Sequence, residues 1–224
     1  MQRKERKIMK YVLFEGIDEK ELPNILKQLS AFEIQAEKNQ IVLNSGEKVT
    51  AIYLCVDGCF VLETVDSEGA LSILSTIEKG GLFGGAFAFT ESYAPADLRA
   101  TERSKMLVIP IEQLKKMPDA DKNKTIILYN LALVLAKKST YLITKIKHLS
   151  KRSIRSKIIS YLSELASGVG KREITIPFDR QGLADYICVD RSALSKELSK
   201  MKSEGLIDYK KNKFTINFNY SRRY

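Results

Sequence analysis

The period at which apolar residues recur changes repeatedly along this chain, and each change predicts a new element. In DEKELPNILKQL, Asp18 to Leu29, the apolar residues Leu22, Ile25, Leu26 and Leu29 fall on one side of a helix. Asp18 supplies a capping carboxylate, and Pro23 lies in the first turn, where its missing N–H is not needed. A short helix is expected, packed as a lid on the next region. From Phe32 to Pro110 the period drops to two, in Gln40 to Leu43, Ala51 to Leu54, Phe60 to Val65, Leu71 to Ile77 and Ser104 to Ile109. Ser45-Gly46, Asp57-Gly58, Glu68-Gly69 and Gly80-Gly81 punctuate these runs. Turn signals about every 8 to 12 residues, with no helical periodicity between them, predict a compact β-roll or jelly roll ending near Met117.

After Asp119 a long helical pattern reaches Leu149. Leu128, Leu135, Leu142 and Leu149 recur every seven residues, with Ala132, Ser139 and Ile146 four after the first three. A heptad seam held this long calls for a partner helix, and a second copy of the chain is the expected one. Ile127, Leu131 and Val134 form a second apolar face that packs within the monomer. A further helix is expected from Ser153 to Ala166, ended by Gly168-Val169-Gly170 before ITIPFD.

The stretch DRQGLADYICVDRSALSKELSKMKSEGLID, Asp179 to Asp208, reads as two short helices joined by a tight turn. Asp179 and Asp190 stand where a carboxylate caps a helix start, and Gly205 stands where a left-handed helix end is least strained. Leu183 and Ile187 on the first helix, and Leu194, Leu198 and Met201 on the second, are the buried stripes. The opposite face of the second helix carries Arg191, Ser192, Ser195, Lys196 and Ser199, polar and cationic groups suited to base edges and phosphates in a major groove. An ordinary solvated face would look similar, so the context matters. LIDYKKNKFTINF alternates on each side of Lys210 to Lys213, which predicts a β-hairpin wing with a basic turn. From position 151 to the end there are 16 Lys plus Arg against 8 Asp plus Glu, so +8 of the chain's +10 net charge lies here. A basic domain of this kind attracts a phosphate backbone.

Composition adds limits. The 224 residues suffice for two modest domains, and 44% hydrophobic content is ordinary for a globular chain. The start MQRKERKIMK YVLFEGIDEK does not read as a signal-peptide core, and no apolar run approaches the ~18 residues of a membrane span, so a cytoplasmic protein without membrane contact is expected. Cys55, Cys59 and Cys188 imply no disulfide framework. The Cys55/Cys59 pair, separated by the Asp57-Gly58 turn, lacks companion metal ligands, so neither metal nor cofactor is expected. No Ser-His-Asp set, P-loop or dinucleotide fingerprint is present, and His148 is the only histidine. That points away from an enzyme. His148 itself reads as a solvated or hinge-packed ring. Tyr209 and Phe214 read as wing core, which argues against an RNA-binding surface.

The order of β-roll, long helix and winged helix, with SGEKVTAIYLCVDGCFVL and DRQGLADYICVDRSALSKELSKMKSEGLI, resembles the Crp/Fnr family of bacterial transcription factors over nearly the whole chain. The resemblance implies an α+β protein with an effector-type β-roll at 1–118, a dimerisation helix at 119–149 and a DNA-binding winged helix-turn-helix at 150–224. It also implies a homodimer on double-stranded DNA with a two-fold operator, and RNA polymerase as a protein partner. By the family's pattern Arg191, Ser192, Ser195 and Lys196 would read bases, while Arg180, Gln181, Lys200 and Lys211 would meet phosphates. Many relatives carry Glu where this chain has Ser192.

The effector pocket departs from that pattern. The cyclic-nucleotide branch uses a Gly-Glu pair and, about ten residues on, an Arg-Ser pair; the matching positions here are Gly84-Gly85 and Pro95-Ala96. A ribose-binding carboxylate and a phosphate-binding guanidinium are both missing, and Arg99 is displaced by four residues. The N-terminal 29 residues contain no cysteine for an iron-sulfur cluster. Around GGLFGGAFAFTESYAPADL the aromatic residues Phe83, Phe87, Phe89 and Tyr93 are expected to be mostly core, and the small-molecule effector stays unknown. The competing reading is a β-roll dimer module with a structural or protein-interaction role and only non-specific DNA binding.

Overall fold

The computed structural model describes residues 11–65, 71–169 and 172–219, so the Glu68-Gly69 turn, the basic start and Gly170 lie outside it. The chain forms two compact units that meet between Lys137 and Lys138.

In the first unit two four-stranded antiparallel sheets enclose one core. One has the order β1 (Phe32–Ala36), β8 (Ser104–Pro110), β3 (Ala51–Asp57), β6 (Leu82–Phe83); the other β2 (Ile41–Leu43), β7 (Asp97–Ala100), β4 (Cys59–Val65), β5 (Leu71–Glu78). The Asp57-Gly58 turn occurs as expected, and it carries the chain from one sheet to the other. Gly58 has φ +77°, and any Cβ there would collide with Ser104, so only glycine fits this corner. Inward residues such as Ile52, Leu54, Phe60, Leu62, Leu98 and Met106 fill the space between the sheets.

Several expectations are corrected. The first helix, α1, spans Leu22–Gln28, so Asp18 is not its cap; the Asp18 carboxylate instead accepts from the Lys20 N–H at 2.8 Å in the preceding turn. Pro23 keeps its place in the first helical turn. A helix, α2 (Gly85–Phe89), interrupts the β-roll where no helical period was visible. Five residues are too few to show a period. Gly84, at φ +89°, starts it, and a side chain at Gly84 would collide with the Ala51 carbonyl. Of the four aromatic residues nearby, Phe83 is buried and Phe87 packs on the core, but Phe89 and Tyr93 are exposed.

After α3 (Ile111–Lys116) comes α4 (Lys122–Leu149), the long helix. Its cap is Asp121, whose Oδ1 accepts from Asn123 N at 2.8 Å and Lys124 N at 3.1 Å. Asp119 accepts from the Lys124 ammonium at 2.7 Å. Ile127 and Leu131 are buried in the first unit's core, as the second apolar face predicts, and Asn130 Nδ2 donates to the carbonyls of Leu13 and Glu15.

The leucine seam does not form one surface. Leu128 and Leu135 are half-buried against the first unit's core and Leu149 against the second unit's, while Leu142 is 46% exposed. The outward row keeps the expected Ala132, Ser139 and Ile146 but has the residue after each of the first three leucines in place of that leucine: Tyr129, Ala132, Ala136, Ser139, Ile143 and Ile146, spaced three and four apart, are all exposed. The heptad period was correct, but the core claims the leucine edge of it. Contrary to expectation, α4 is also long and apolar enough, by length and composition, to cross a membrane.

In the second unit α5 (Ile154–Val169), α6 (Arg180–Tyr186) and α7 (Arg191–Ser203) pack on a three-stranded sheet ordered β10 (Ile207–Lys210), β11 (Lys213–Ile216), β9 (Glu173–Thr175). The ITIPFD stretch, read only as a lead-in, contributes Ile174 and Thr175 to β9, and Phe214 pairs with Ile174. Ile158, Leu162, Leu183, Leu194, Leu198, Met201 and Phe214 form the core.

Candidate nucleic-acid interface

The helix pair owes its geometry to two carboxylates. Asp179 Oδ1 accepts from Gly182 N at 2.7 Å, and Asp190 Oδ1 accepts from Ser192 N at 2.8 Å and Ala193 N at 2.9 Å. The Ser192 hydroxyl also donates to Asp190 Oδ1, at 2.6 Å, and this bond leads the interactions that lower the Asp190 pKa. In the turn between α6 and α7, Cys188 takes φ +51°, and Gly205 at φ +72° ends α7 as expected.

With Leu194, Leu198 and Met201 buried, the opposite side of α7 faces outward. Arg191 and Lys196 are exposed, and Ser195 is half-buried. Ser192 is exposed, but its hydroxyl proton is committed to the cap; the Ser199 hydroxyl donates to the Ser195 carbonyl at 3.0 Å. Arg180, Gln181, Arg191 and Lys211 line one open crevice between α6, α7 and the wing turn, together with Phe178 and Asn212. Lys200 is exposed on α7 and does not line it. Lys211 sits at the wing turn with φ +56°.

Two of these side chains are more constrained than the sequence suggests. The Arg180 guanidinium lies 4.8 Å from the Tyr209 ring centroid and 5.8 Å from that of Phe214, a cation–π stack that holds its fork in place. Gln181 Nε2 donates to Asp185 at 2.8 Å. Sequence reasoning missed Asn212, whose Nδ2 donates to the Ile176 carbonyl at 3.1 Å and ties the wing turn to the segment after β9. It also missed Arg155 on α5, which contacts Glu197 and Glu204. Neither residue had a sequence signal, since both pairings span more than 30 residues.

In the first unit the residues singled out for an effector lie at the start of α2 and in and just before β7. Gly85 faces Leu131, whose Cδ1 would stand 2.9 Å from an added Cβ. Pro95 is exposed and Ala96 is buried. Arg99 points at Glu63: its Nη2 donates to Oε2 at 2.6 Å, its Nε donates to Oε1, and its Nη1 reaches Asn39 at 2.9 Å. These donors hold the Glu63 carboxyl below its ordinary pKa despite burial. Cys55 is buried, its thiol pushed up to about 11 by desolvation. Among the described residues no group of three or more His, Cys, Asp or Glu could hold a metal ion.

His148 is buried, at 1% exposure, in the last turn of α4. Its Nδ1 lies 2.9 Å from the Ser160 hydroxyl, and its ring meets Tyr161 edge-on at 5.7 Å. The ring is packed rather than solvated.

Residues 33–121 match the cyclic nucleotide-binding domain, and residues 156–217 match the Crp-like helix-turn-helix domain. This chain belongs to the Crp/Fnr family. Three solved structures of similar proteins share its fold. CprK in complex with OCPA superposes with a TM-score of 0.64 at 21% identity, covering 88% of each chain. The Xanthomonas campestris regulator CLP, described as responsive to c-di-GMP, gives 0.57 at 17% identity over 88% of this chain and all of its own. The Thermus thermophilus catabolite activator protein gives 0.53 at 20% identity over 92% of this chain and 93% of its own. No curated protein sequence matches. The Crp/Fnr architecture of β-roll, long helix and C-terminal helix-turn-helix is therefore the architecture of this chain.

Proposed function

We propose that this Crp/Fnr-family chain is a cytoplasmic, homodimeric transcription regulator that reads an inverted repeat in double-stranded DNA and does not use cyclic AMP or cyclic GMP as its signal. On this reading it is not an enzyme, and RNA polymerase is its protein partner at promoters. The observation that carries the reading is α7: a helix fixed at both ends, with Arg191 and Lys196 exposed on the side away from its buried stripe and a basic wing turn beside its N-terminus. Arg191 and Lys196 are the guanine-reading candidates, because a long cation reaches O6 and N7 in the major groove. Ser192 contributes little to base choice, since its proton is spent on Asp190. Arg180, Gln181, Lys200 and Lys211 act on phosphates. The exposed row from Tyr129 to Ile146 supports dimerisation, and the commitment of Arg99 to Glu63 supports a pocket without a cyclic-phosphate cradle.

The test is selection from a library of random DNA duplexes, followed by binding titrations at two salt concentrations. A two-fold symmetric site is expected, with half-site centres about 34 Å apart. Lys196→Ala should cost about 1 to 3 kcal/mol on that site and flatten preference at one base pair, whereas Lys211→Ala should weaken all sequences alike and reduce the salt slope by about one. Retention of all sequences alike by the parent chain would reject sequence reading and favour a β-roll interaction module that binds DNA only through its charge.

A further inference from the structure

Arg155, in the first turn of α5, grips two carboxylates on α7. Its Nε donates to Glu197 Oε1, and its Nη1 and Nη2 donate to Glu204 Oε2 and Oε1 at 2.7 and 2.9 Å. Glu204 is the C-cap residue of α7, and Glu197 stands seven positions before it, two turns back on the same side of the helix. The three side chains are only 31%, 23% and 36% exposed, so water screens them less than an open surface pair. Nearby, Lys157 Nζ donates to the carbonyl of Ile187 at 3.1 Å, tying α5 to the turn that precedes α7.

This arrangement constrains a motion that the apolar core leaves soft. Leu194, Leu198 and Met201 hold α7 against the unit through non-directional contacts, which resist separation more than rotation about the helix axis. A side-chain tip about 6 Å from that axis moves about 1 Å for a 10° rotation. Base contacts demand placement to roughly half an ångström. A planar guanidinium bonded to two carboxylates on one side of α7 fixes both its rotation and its axial position. We propose that Arg155 is a positioning residue for base reading: through Glu197 and Glu204 it sets the angle at which the Arg191, Ser195 and Lys196 face is presented to DNA. The proposal rests on the DNA-reading function proposed above.

The experiment uses the full-length chain and the duplex that it selects from a random library, with a scrambled duplex as reference at one salt concentration. Arg155→Met removes a positive charge, and the pair Glu197→Gln with Glu204→Gln removes two negative ones. Both break the same clamp. Bulk charge alone would shift the absolute affinities of the two variants in opposite directions and leave the ratio of selected to scrambled binding unchanged. Positioning instead lowers that ratio in both by about tenfold, the size of one lost base contact. Arg155→Lys keeps the charge but not the planar fork, and should give an intermediate ratio; it also serves if Arg155→Met does not fold, as thermal unfolding would reveal. An unchanged ratio in variants that fold would overturn the proposal. If the parent chain selects no sequence at all, the DNA-reading function has failed instead.

Discussion

The ring of His148 shows how much a residue's surroundings change its chemistry. Burial lowers its pKa from the ordinary 6.5; the Glu164 carboxylate opposes this, and Lys147 and Lys151 add to it. Tyr161 on α5 and Tyr186 on α6 face the same ring, at 5.7 and 6.3 Å between centroids. The folded chain therefore favours the neutral ring. As pH falls through 6.5 the unfolded chain takes up a proton that the folded one resists, and stability drops until the pH passes the lower, folded value. The second unit should lose stability as the pH falls from neutrality through 6.5, and His148→Phe should show a shallower loss over the same range. Thermal melts across this window check it; an equal slope in the two proteins would mean that the ring protonates as readily folded as unfolded. The sequence showed that His148 was alone and near a helix end. Its partners Ser160, Tyr161 and Tyr186 come from other elements, so nothing local announced that the ring would be enclosed.

Among elements, α4 shows where sequence periodicity is informative and where it stops. The seven-residue repeat foretold a helix with two apolar faces, and the Ile127 and Leu131 face packs inward as expected. Which of two adjacent rows faces outward depended on how the β-roll docks on the helix, and a heptad pattern carries no information about that. The leucine positions are partly taken up by the chain's own cores, while Tyr129, Ile143 and Ile146 stay open at 64%, 65% and 63% exposure, the face that the proposed homodimer would use. On the homodimer reading Ile143→Asp should therefore prevent dimerisation, since two such chains would bring like charges into the middle of an apolar interface. Light scattering that still reports a dimer for this variant would move the interface off this row. The short α2 was invisible for a different reason: five residues around two glycines carry no period, and only the φ +89° of Gly84 starts the turn. Caps were legible at Asp179 and Asp190, and misplaced at Asp18, which lies four positions ahead of the first helical residue, Leu22.

At the scale of the whole molecule, the proposed regulator would take its signal through what the β-roll can bind. With Leu131 against Gly85, and Arg99 engaged by Glu63 and Asn39, the proposed reading is that cyclic AMP would find neither the carboxylate nor the guanidinium that the resembled branch offers it. Neither cyclic AMP nor cyclic GMP should raise the melting temperature, whereas a ligand at a hundred times its Kd would add about 2.7 kcal/mol of stability. Micromolar binding by calorimetry would mean that Arg99 exchanges Glu63 for a phosphate. Motif spacing made the fold readable; the ion pair that occupies Arg99 joins β4 to β7, 36 positions apart, and was not. The chain divides between Lys137 and Lys138, inside α4 rather than beside it. Exchange of parts between relatives is usually imagined at loops, here near Pro118 or Ser150. A crossover at either point would strip one core of its own helical packing: Ile127 and Leu131 from the first, or His148 and Leu149 from the second. The junction that keeps both cores whole lies mid-helix, where only helical phase must be preserved, so this chain's modularity runs through a rod.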